Sequence, residues 1–267
     1  MGRYAKAPKR LGQNFLINSA VAAAEAEHAD GKRVLEIGPG HGVLTRELCR
    51  RAKRVVAVEL DNDLFRELKA NMHEENLKLI NKDFLDADER ELELGDTDIV
   101  ISNIPYSISS SVIDFLLERR LQAVLCLQKE FVERMTAKAG TRDYSRLSVM
   151  FQLCFSYTKL MRVSRGSFRP IPKVDSEVIY AKPNDRCVSD EEKGIINAIM
   201  QHKKKKVRNA ILDSDLYFRG IGCDTKALVD LVPDKEARVF KLEPERVLAL
   251  ARDIIKGCSG APAPARV

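Results

Sequence analysis

The 267-residue sequence has no run of about 18 apolar residues, the length that a membrane-spanning helix requires. It also lacks the apolar stretch of a secretory signal peptide, because its N-terminus is basic and contains proline. We therefore expect a cytoplasmic protein that makes no membrane contact. Since 45% of the residues are apolar and 31% are charged, the chain can form one full hydrophobic core and a small second domain.

Closely spaced cysteines are absent as well. The six cysteines, at positions 49, 126, 154, 187, 223 and 258, form no Cys-x-x-Cys pair and have no histidine nearby. This dispersal argues against a metal site and against a disulfide. A catalytic cysteine in a Pro-Cys setting is also missing, which excludes the chemistry of the cytosine C5-methyltransferases.

Three glycines alternate in the segment Gly38–Gly42, GPGHG. A buried parallel strand is predicted before it, over Arg33–Ile37, and a helix after it, over Val43–Arg50. The spacing is one residue shorter than the dinucleotide-binding fingerprint, so it disfavours a nicotinamide or flavin cofactor. At the end of the next strand, Glu59 can accept hydrogen bonds from ribose hydroxyls, and Asp83, after the third strand, can accept one from an adenine amine. This pattern favours a nucleoside cofactor.

The tetrad Asn103-Ile104-Pro105-Tyr106 follows a predicted strand over Asp98–Ser102. The amino nitrogen of adenine is a poor nucleophile because its lone pair is delocalised into the ring. The side-chain carbonyl of Asn103 and the backbone carbonyl of Ile104 can accept its two hydrogens and free that pair, while Pro105 stiffens the turn. Tyr106 offers a face on which the base can stack. The tetrad therefore predicts an enzyme that acts on an adenine amine.

Strand and helix patterns alternate along most of the chain, which predicts an α/β fold with a mostly parallel, doubly wound sheet. Ligands of such sheets bind at the carboxyl ends of the strands, where the glycines, acids and tetrad named above fall. Strands are expected at 33–37, 54–59, 77–81, 98–102 and 122–128, with two more at about 147–157 and 175–182. Domains are expected over 1–183 (catalytic, with a basic N-terminal arm) and 184–256 (small, helical), followed by a disordered tail over 257–267.

Basic residues are concentrated in three stretches that contain no acid, at 1–24, 144–174 and 194–212. This asymmetry predicts a polyanionic partner, which we take to be RNA. The third stretch contains the candidate RNA-binding residues Lys203, Lys204, Lys205, Lys206 and Arg208.

Four motifs together resemble those of the ribosomal RNA adenine N6,N6-dimethyltransferases, the family known in bacteria as KsgA, with archaeal and eukaryotic counterparts. The motifs are LGQNFL at 11–16, EIGPGHG at 36–42, NIPYSISS at 103–110 and FRPIPKVDS at 168–176. The segment AGTRDYSRLSV, at 139–149, looks closest to the archaeal branch. The resemblance covers the chain up to its short tail. One departure is Ser111, where many relatives have proline.

The resemblance implies a Rossmann-like class I methyltransferase sheet whose last strand is antiparallel. It implies that S-adenosylmethionine donates methyl groups to N6 of two adjacent adenosines near the 3′ end of small-subunit ribosomal RNA. The protein is expected to act as a monomer on an immature small ribosomal subunit. The target base is expected between Tyr106 and Phe168, beside Asn103, Ile104 and Pro105. The expected cofactor-binding residues are Gln13, Asn14, Leu16, Gly38, Gly40, Glu59, Leu60, Asp83, Phe84 and Asn103.

Three alternative functions stay open at this point. A DNA adenine methyltransferase has a similar tetrad, but such enzymes normally add a separate target-recognition domain, and the short helical domain argues against one. Dimethylation of large-subunit ribosomal RNA uses very similar motifs. The third alternative is an RNA-binding ribosome assembly factor in which methylation is secondary.

Overall fold

The computed structural model describes residues 14–186 and 188–259, which divide into two compact units. The first unit comprises the described residues up to Lys129 together with Ser156–Pro183. The second comprises Glu130–Phe155 and the described residues from Asn184 onward. Residues 130–155, which were expected in the first domain, cluster with the helical unit instead. Gln13 and the basic residues before it lie outside the described part of the chain.

A mixed sheet forms the centre of the first unit. Its strands are β2 (Arg33–Ile37), β3 (Arg54–Glu59), β4 (Leu77–Asn81), β5 (Ile99–Asn103), β6 (Gln122–Gln128), β7 (Phe155–Val163) and β9 (Ser176–Pro183). Their order is β4-β3-β2-β5-β6-β9-β7; the pairs among β2 to β6 are parallel, and β9 runs antiparallel to β6. The central strands are buried along most of their length, which is typical of parallel sheets covered by helices. The predicted fold class is confirmed.

Helices and a small second sheet complete the first unit. The helices are α1 (Ser19–Ala26), α2 (Val43–Arg51), α3 (Asn62–Asn71) and α4 (Ser109–Arg119). The side chain of Asn18 begins α1 by accepting hydrogen bonds from two backbone N–H groups, and Asp61 does the same for α3. The short strands β1 (Phe15–Leu16) and β8 (Phe168–Arg169) pair antiparallel. This pairing, which the sequence patterns did not predict, joins the first described residues to the FRPIPKVDS motif.

The strand predicted at about 147–157 is wrong over most of its length. Arg146–Cys154 forms helix α6, and the strand starts only at Phe155. Ser145 and Ser148 begin this helix with a capping box. Its apolar residues are buried on all sides, so the run carried no helical period that would separate a buried helix from a buried strand. The helix packs against helices of the second unit, which explains why this segment belongs there.

Helices make up the second unit. The unit begins with α5 (Lys129–Met135), whose first residue belongs to the first unit, and continues with α6. Five more helices follow among the described residues: α7 (Asp190–Gln201), α8 (Val207–Asp213), α9 (Asp215–Gly220), α10 (Thr225–Leu231) and α11 (Pro244–Ser259). Because α11 continues through Ser259, the tail cannot start at Gly257 as expected. The remainder of the predicted tail lies outside the described residues.

Two of the dispersed cysteines form a disulfide, which corrects the prediction that none exists. Cys223, before α10, is bonded to Cys258 in the last turn of α11, with 4.9 Å between their Cα atoms. The bond closes a loop across 35 residues of sequence. Cross-links of such loops typically stabilise a fold by about 2–4 kcal/mol, chiefly by restricting the unfolded chain.

Candidate active site

A cleft opens at the carboxyl ends of β2, β3, β4 and β5, all within the first unit. It lies where the strand order reverses, between β2 and β5, the usual ligand position in doubly wound sheets. The cleft brings together nine of the ten expected cofactor-binding residues, with Gln13 outside the description: Asn14, Leu16, Gly38, Gly40, Glu59, Leu60, Asp83, Phe84 and Asn103.

The glycine segment passes through the floor of this cleft in a conformation that other residues adopt poorly. Gly38 and Gly40 have φ angles of +70° and +58°, in the left-handed region. A Cβ atom at Gly40 would lie 2.8 Å from the ring of Phe15, and one at Gly38 would lie 3.1 Å from Pro105. The missing side chains let the backbone approach both its neighbours and a ligand.

Glu59 connects the glycine segment to the end of β3. Its side chain is 2% exposed, and its two oxygens accept hydrogen bonds from the N–H groups of Gly40 (3.0 Å) and Asp61 (2.9 Å). Burial raises the pKa of this carboxyl above its ordinary value. Each carboxylate oxygen has a second lone pair, so Glu59 can still accept bonds from ribose hydroxyls while holding the loop.

The ends of β3 and β4 supply both apolar and polar surface to the cleft. Leu60 lines it with 48% of its side chain exposed, and Phe84, on the next strand end, is largely buried. Asp83 also lines the cleft, and its Oδ1 accepts a hydrogen bond from the N–H of Leu85 at 2.9 Å. An apolar surface beside an acceptor suits a planar base with an exocyclic amine.

Asn103, the last residue of β5, has an unsatisfied side chain. Its Nδ2 donates a hydrogen bond to Oε2 of Glu25 at 3.0 Å. Its Oδ1 is buried and accepts no hydrogen bond from any described residue. Buried polar atoms nearly always have a partner, so an orphaned acceptor in a cleft calls for a donor from a ligand.

The rest of the tetrad is placed differently from Asn103. Ile104 is 2% exposed, and its N–H donates to the carbonyl of Cys126 at 3.3 Å. Pro105 lines the cleft. Tyr106 is half-buried, and its hydroxyl is 2.8 Å from Oγ of Ser176.

Phe168 does not form the second wall of a base-binding slot in this structure. It is 2% exposed and packs in the hydrophobic core with Leu16 and Val163. The strand pairing of β8 with β1 places Phe168 opposite Leu16 and so turns it into the core. The expectation that a base stacks between Tyr106 and Phe168 is therefore not met by this arrangement, and Tyr106 is left as the aromatic candidate.

Sequence reasoning missed two buried acids near these residues. Glu25, on α1, is 1% exposed and Glu36, on β2, is 2% exposed. Burial raises the pKa of each carboxyl to about 8. Repulsion from Glu25 and from Glu59 adds to the increase at Glu36. These two acids and Glu59 suit a positively charged ligand, because a nearby cation stabilises the ionised form of each carboxyl.

The candidate RNA-binding residues lie on the second unit, where most already have partners. The Lys203 ammonium donates to the backbone carbonyls of Tyr144 and Arg142. Lys205 is paired with Asp213, and Lys206 and Arg208 are both paired with Glu236. Lys204 is exposed and has no acidic partner among the described residues. Binding of phosphates by this segment would have to compete with these pairs.

The buried acids predict how stability depends on pH. The folded state keeps protons on Glu25 and Glu36 that the unfolded state releases above about pH 4.5, so the free energy of unfolding should fall as pH rises to about 8. At about 1.36 kcal/mol per pKa unit, each group accounts for at most roughly 4–5 kcal/mol. Glu36→Gln should therefore raise the melting temperature relative to the wild type at pH 9 and change it little at pH 5.

The control for this measurement is Glu27→Gln, which changes an exposed acid on the turn after α1. Its melting temperature should follow the wild-type curve at every pH. Parallel curves for Glu36→Gln and the wild type between pH 5 and pH 9 would show that Glu36 is ionised in the folded protein and that the assigned shift is wrong.

Comparison with known proteins gives consistent matches over nearly the whole chain. A family model described as ribosomal RNA adenine dimethylase matches residues 4–231. A curated relative from Thermococcus sibiricus, a probable ribosomal RNA small subunit methyltransferase A, is 39% identical over 247 residues, which cover 89% of this chain and 88% of the relative.

Two solved structures are also similar. A dimethyladenosine transferase from Plasmodium falciparum aligns with a TM-score of 0.77 and 29% identity, covering 91% of this chain and 98% of that one. The 23S rRNA methyltransferase ErmE aligns with a TM-score of 0.61 and 27% identity, covering 91% of this chain and all of the other. The coverage shows that the likeness is not confined to the common methyltransferase sheet.

Proposed function

Because the chain belongs to the ribosomal RNA adenine dimethylase family, we propose that it transfers methyl groups from S-adenosylmethionine to N6 of two adjacent adenosines near the 3′ end of small-subunit ribosomal RNA. The substrate would be an immature small ribosomal subunit in the cytoplasm, and the enzyme would act as a monomer. The observation that carries the proposal is the buried, unpartnered Oδ1 of Asn103 in the cleft.

The cleft suits the proposed methyl donor. When bound, S-adenosylmethionine supplies an electrophilic methyl group on a positively charged sulfur. Glu59 would accept hydrogen bonds from the ribose, and Leu60 and Asp83 would contact the adenine of the cofactor. The glycine segment lets the cofactor approach the backbone. The buried carboxyl groups favour a cationic ligand over a neutral one of the same shape.

Methyl transfer then depends on how the chain orients the target amine. The target adenosine leaves its stack, at a cost of a few kcal/mol. In our proposal its N6–H donates to Oδ1 of Asn103, the carbonyl of Ile104 accepts the second hydrogen, and the base stacks on Tyr106. These acceptors draw the nitrogen toward tetrahedral geometry and free its lone pair. N6 would take the methyl group as the bond from that carbon to sulfur breaks, and would then release one proton to water. The protein supplies position and electrostatic stabilisation rather than a covalent intermediate.

The proposed RNA surface includes residues on the same unit as the cleft. Arg162, Arg165 and Lys173 flank β8 and are exposed, and no described acid forms an ion pair with them. Long basic side chains without partners can bind phosphates at no cost in broken ion pairs. We therefore propose this group, the β8 cations, as the main phosphate contacts, with Lys203–Lys206 and Arg208 as additional ones.

The alternative with structural support is a large-subunit substrate, because the chain is similar to ErmE over that protein's whole length. The deciding experiment is transfer of labelled methyl from S-adenosylmethionine to purified small subunits, large subunits and DNA, followed by nucleoside analysis. We expect N6,N6-dimethyladenosine in small-subunit RNA alone. Label in large-subunit RNA or in DNA would show that the proposed substrate is wrong and would identify the actual one. Stable binding to immature small subunits without transfer would favour an assembly factor.

Asn103→Ala should lower kcat by at least about a hundredfold, the scale of losing one oriented polar contact at a reacting centre. The cofactor Kd should change little, because the proposed role is toward the target amine. Single-turnover rates and calorimetry measure the two quantities. Asn71→Ala, at an exposed position on α3, is the control and should behave as wild type. A loss of cofactor affinity in proportion to rate would make Asn103 a cofactor-binding residue instead.

Replacing all three β8 cations with Gln should flatten the slope of log affinity for RNA against log salt by about 2–3, at roughly 0.7–0.9 per phosphate contact. The control variant, Lys205→Gln with Lys206→Gln and Arg208→Gln, removes the same charge from residues that are already paired. Its slope should change less. The reverse ranking in filter-binding titrations would place the main RNA contact on the second unit.

A further inference from the structure

Glu25 is an unusual residue for its position on the protein. Helix α1 has the sequence SAVAAAEA, and its buried face consists of Ala22, Glu25 and Ala26. The acid makes one hydrogen bond through Oε2, to Nδ2 of Asn103, while its buried Oε1 has no partner among the described residues. Burying an incompletely paired carboxyl destabilises a fold, and an apolar residue here would not incur that cost. Its placement therefore needs an explanation other than stability.

The amide of Asn103 can point two ways. Rotation by about 180° exchanges Oδ1 and Nδ2, two atoms of nearly equal size but opposite hydrogen-bonding character. Only the orientation that leaves Oδ1 available can accept a hydrogen from the N6 amine. In the flipped orientation Nδ2 of Asn103 would face the N6 amine, and because both groups are donors no hydrogen bond would form. An isolated asparagine would therefore spend part of its time in an unproductive orientation.

We propose that Glu25 is a positioning residue whose carboxylate, by accepting the hydrogen bond from Nδ2 of Asn103, keeps Oδ1 available to the target amine. This inference rests on the proposed function. A carboxylate is only an acceptor, so it selects Nδ2 and excludes Oδ1 from its own side. A protonated carboxyl can also donate, and so can hold the flipped amide through Oδ1. The ionisation of Glu25 thus decides whether the orientation is enforced.

The groups around Glu25 bring its pKa into the working pH range, so the carboxyl changes its ionisation there. Glu36 and the thiol of Cys126 interact electrostatically with it. The buried residues of α2, which packs against α1, are uncharged. Desolvation in this setting raises the pKa of Glu25 to about 8, so the enforcing carboxylate forms as pH rises toward that value. A cationic ligand such as the proposed methyl donor would lower the pKa of Glu25. The rise of kcat with pH should therefore have its midpoint at a lower pH than the titration of Glu25 in the free protein.

The first test compares Glu25→Gln with Glu27→Gln, an exposed acid two residues away. Gln can both donate and accept, so it no longer selects one orientation of Asn103. We expect kcat of Glu25→Gln to fall about tenfold at pH 9 and to lose the rise with pH that the wild type shows. KM for RNA and the cofactor Kd should stay within about twofold, and Glu27→Gln should match the wild type. An unchanged kcat and pH profile in Glu25→Gln would overturn the inference.

The second test needs neither cofactor nor turnover. The side-chain amide resonances of Asn103, assigned by their loss in Asn103→Ser, are followed by NMR between pH 6 and pH 10. In the free wild type and in Glu27→Gln they should shift with a midpoint of about 8, and in a folded Glu25→Gln they should not. Resonances that do not move with pH in the wild type would overturn the inference even if Glu25→Gln fails to fold. A normal titration in an enzyme that methylates no RNA would instead refute the proposed function.

Discussion

The parallel pairing of β2 with β3 and β5 is the constraint on which the cleft depends. Because parallel strands end at the same edge, the glycine segment, Glu59 and Asn103 converge although up to 65 residues separate them. Backbone and near-backbone contacts hold that convergence: the N–H of Gly38 donates to the carbonyl of Val58, and Oγ of Ser102 donates to the carbonyl of Ile37. The side chains that face the ligand therefore inherit their positions from the sheet register.

This dependence explains which features were predictable from the sequence. Four strands have the predicted bounds, β2, β3, β4 and β6, because each is a short segment rich in apolar residues and bounded by turn residues or charged helices. The segment 147–157 failed because an apolar run buried on every side has no period to read. The disulfide between Cys223 and Cys258 failed for another reason: no local spacing reports that α11 returns to the start of α10.

Local signals also fell short inside the site. Glu25 occupies the buried face of α1 with Ala22, Ala26 and, one turn further, Ala29, so an acid interrupts a small apolar stripe. That interruption was visible in the sequence, but its partner, Asn103, lies 78 positions away. Phe168 shows the opposite case, because its motif implied a role at the target base while its pairing with Leu16 places it in the core. A motif therefore predicts the kind of reaction, whereas the packing of the fold determines which of its side chains can contact the ligand.

The distribution of charge on the first unit favours entry of the adenine base into the cleft and keeps the RNA phosphates outside it. The interior holds Glu25, Glu36 and Glu59, and a phosphate that entered this poorly solvated cleft would lose its hydration and be repelled by each of these carboxyls that is ionised. The β8 cations are exposed on the same unit and attract the phosphates instead. A neutral adenine is neither strongly repelled by the buried acids nor strongly attracted by the β8 cations. Buried acids inside the cleft and exposed cations outside it therefore favour a base turned out of its strand, with the RNA backbone kept at the surface.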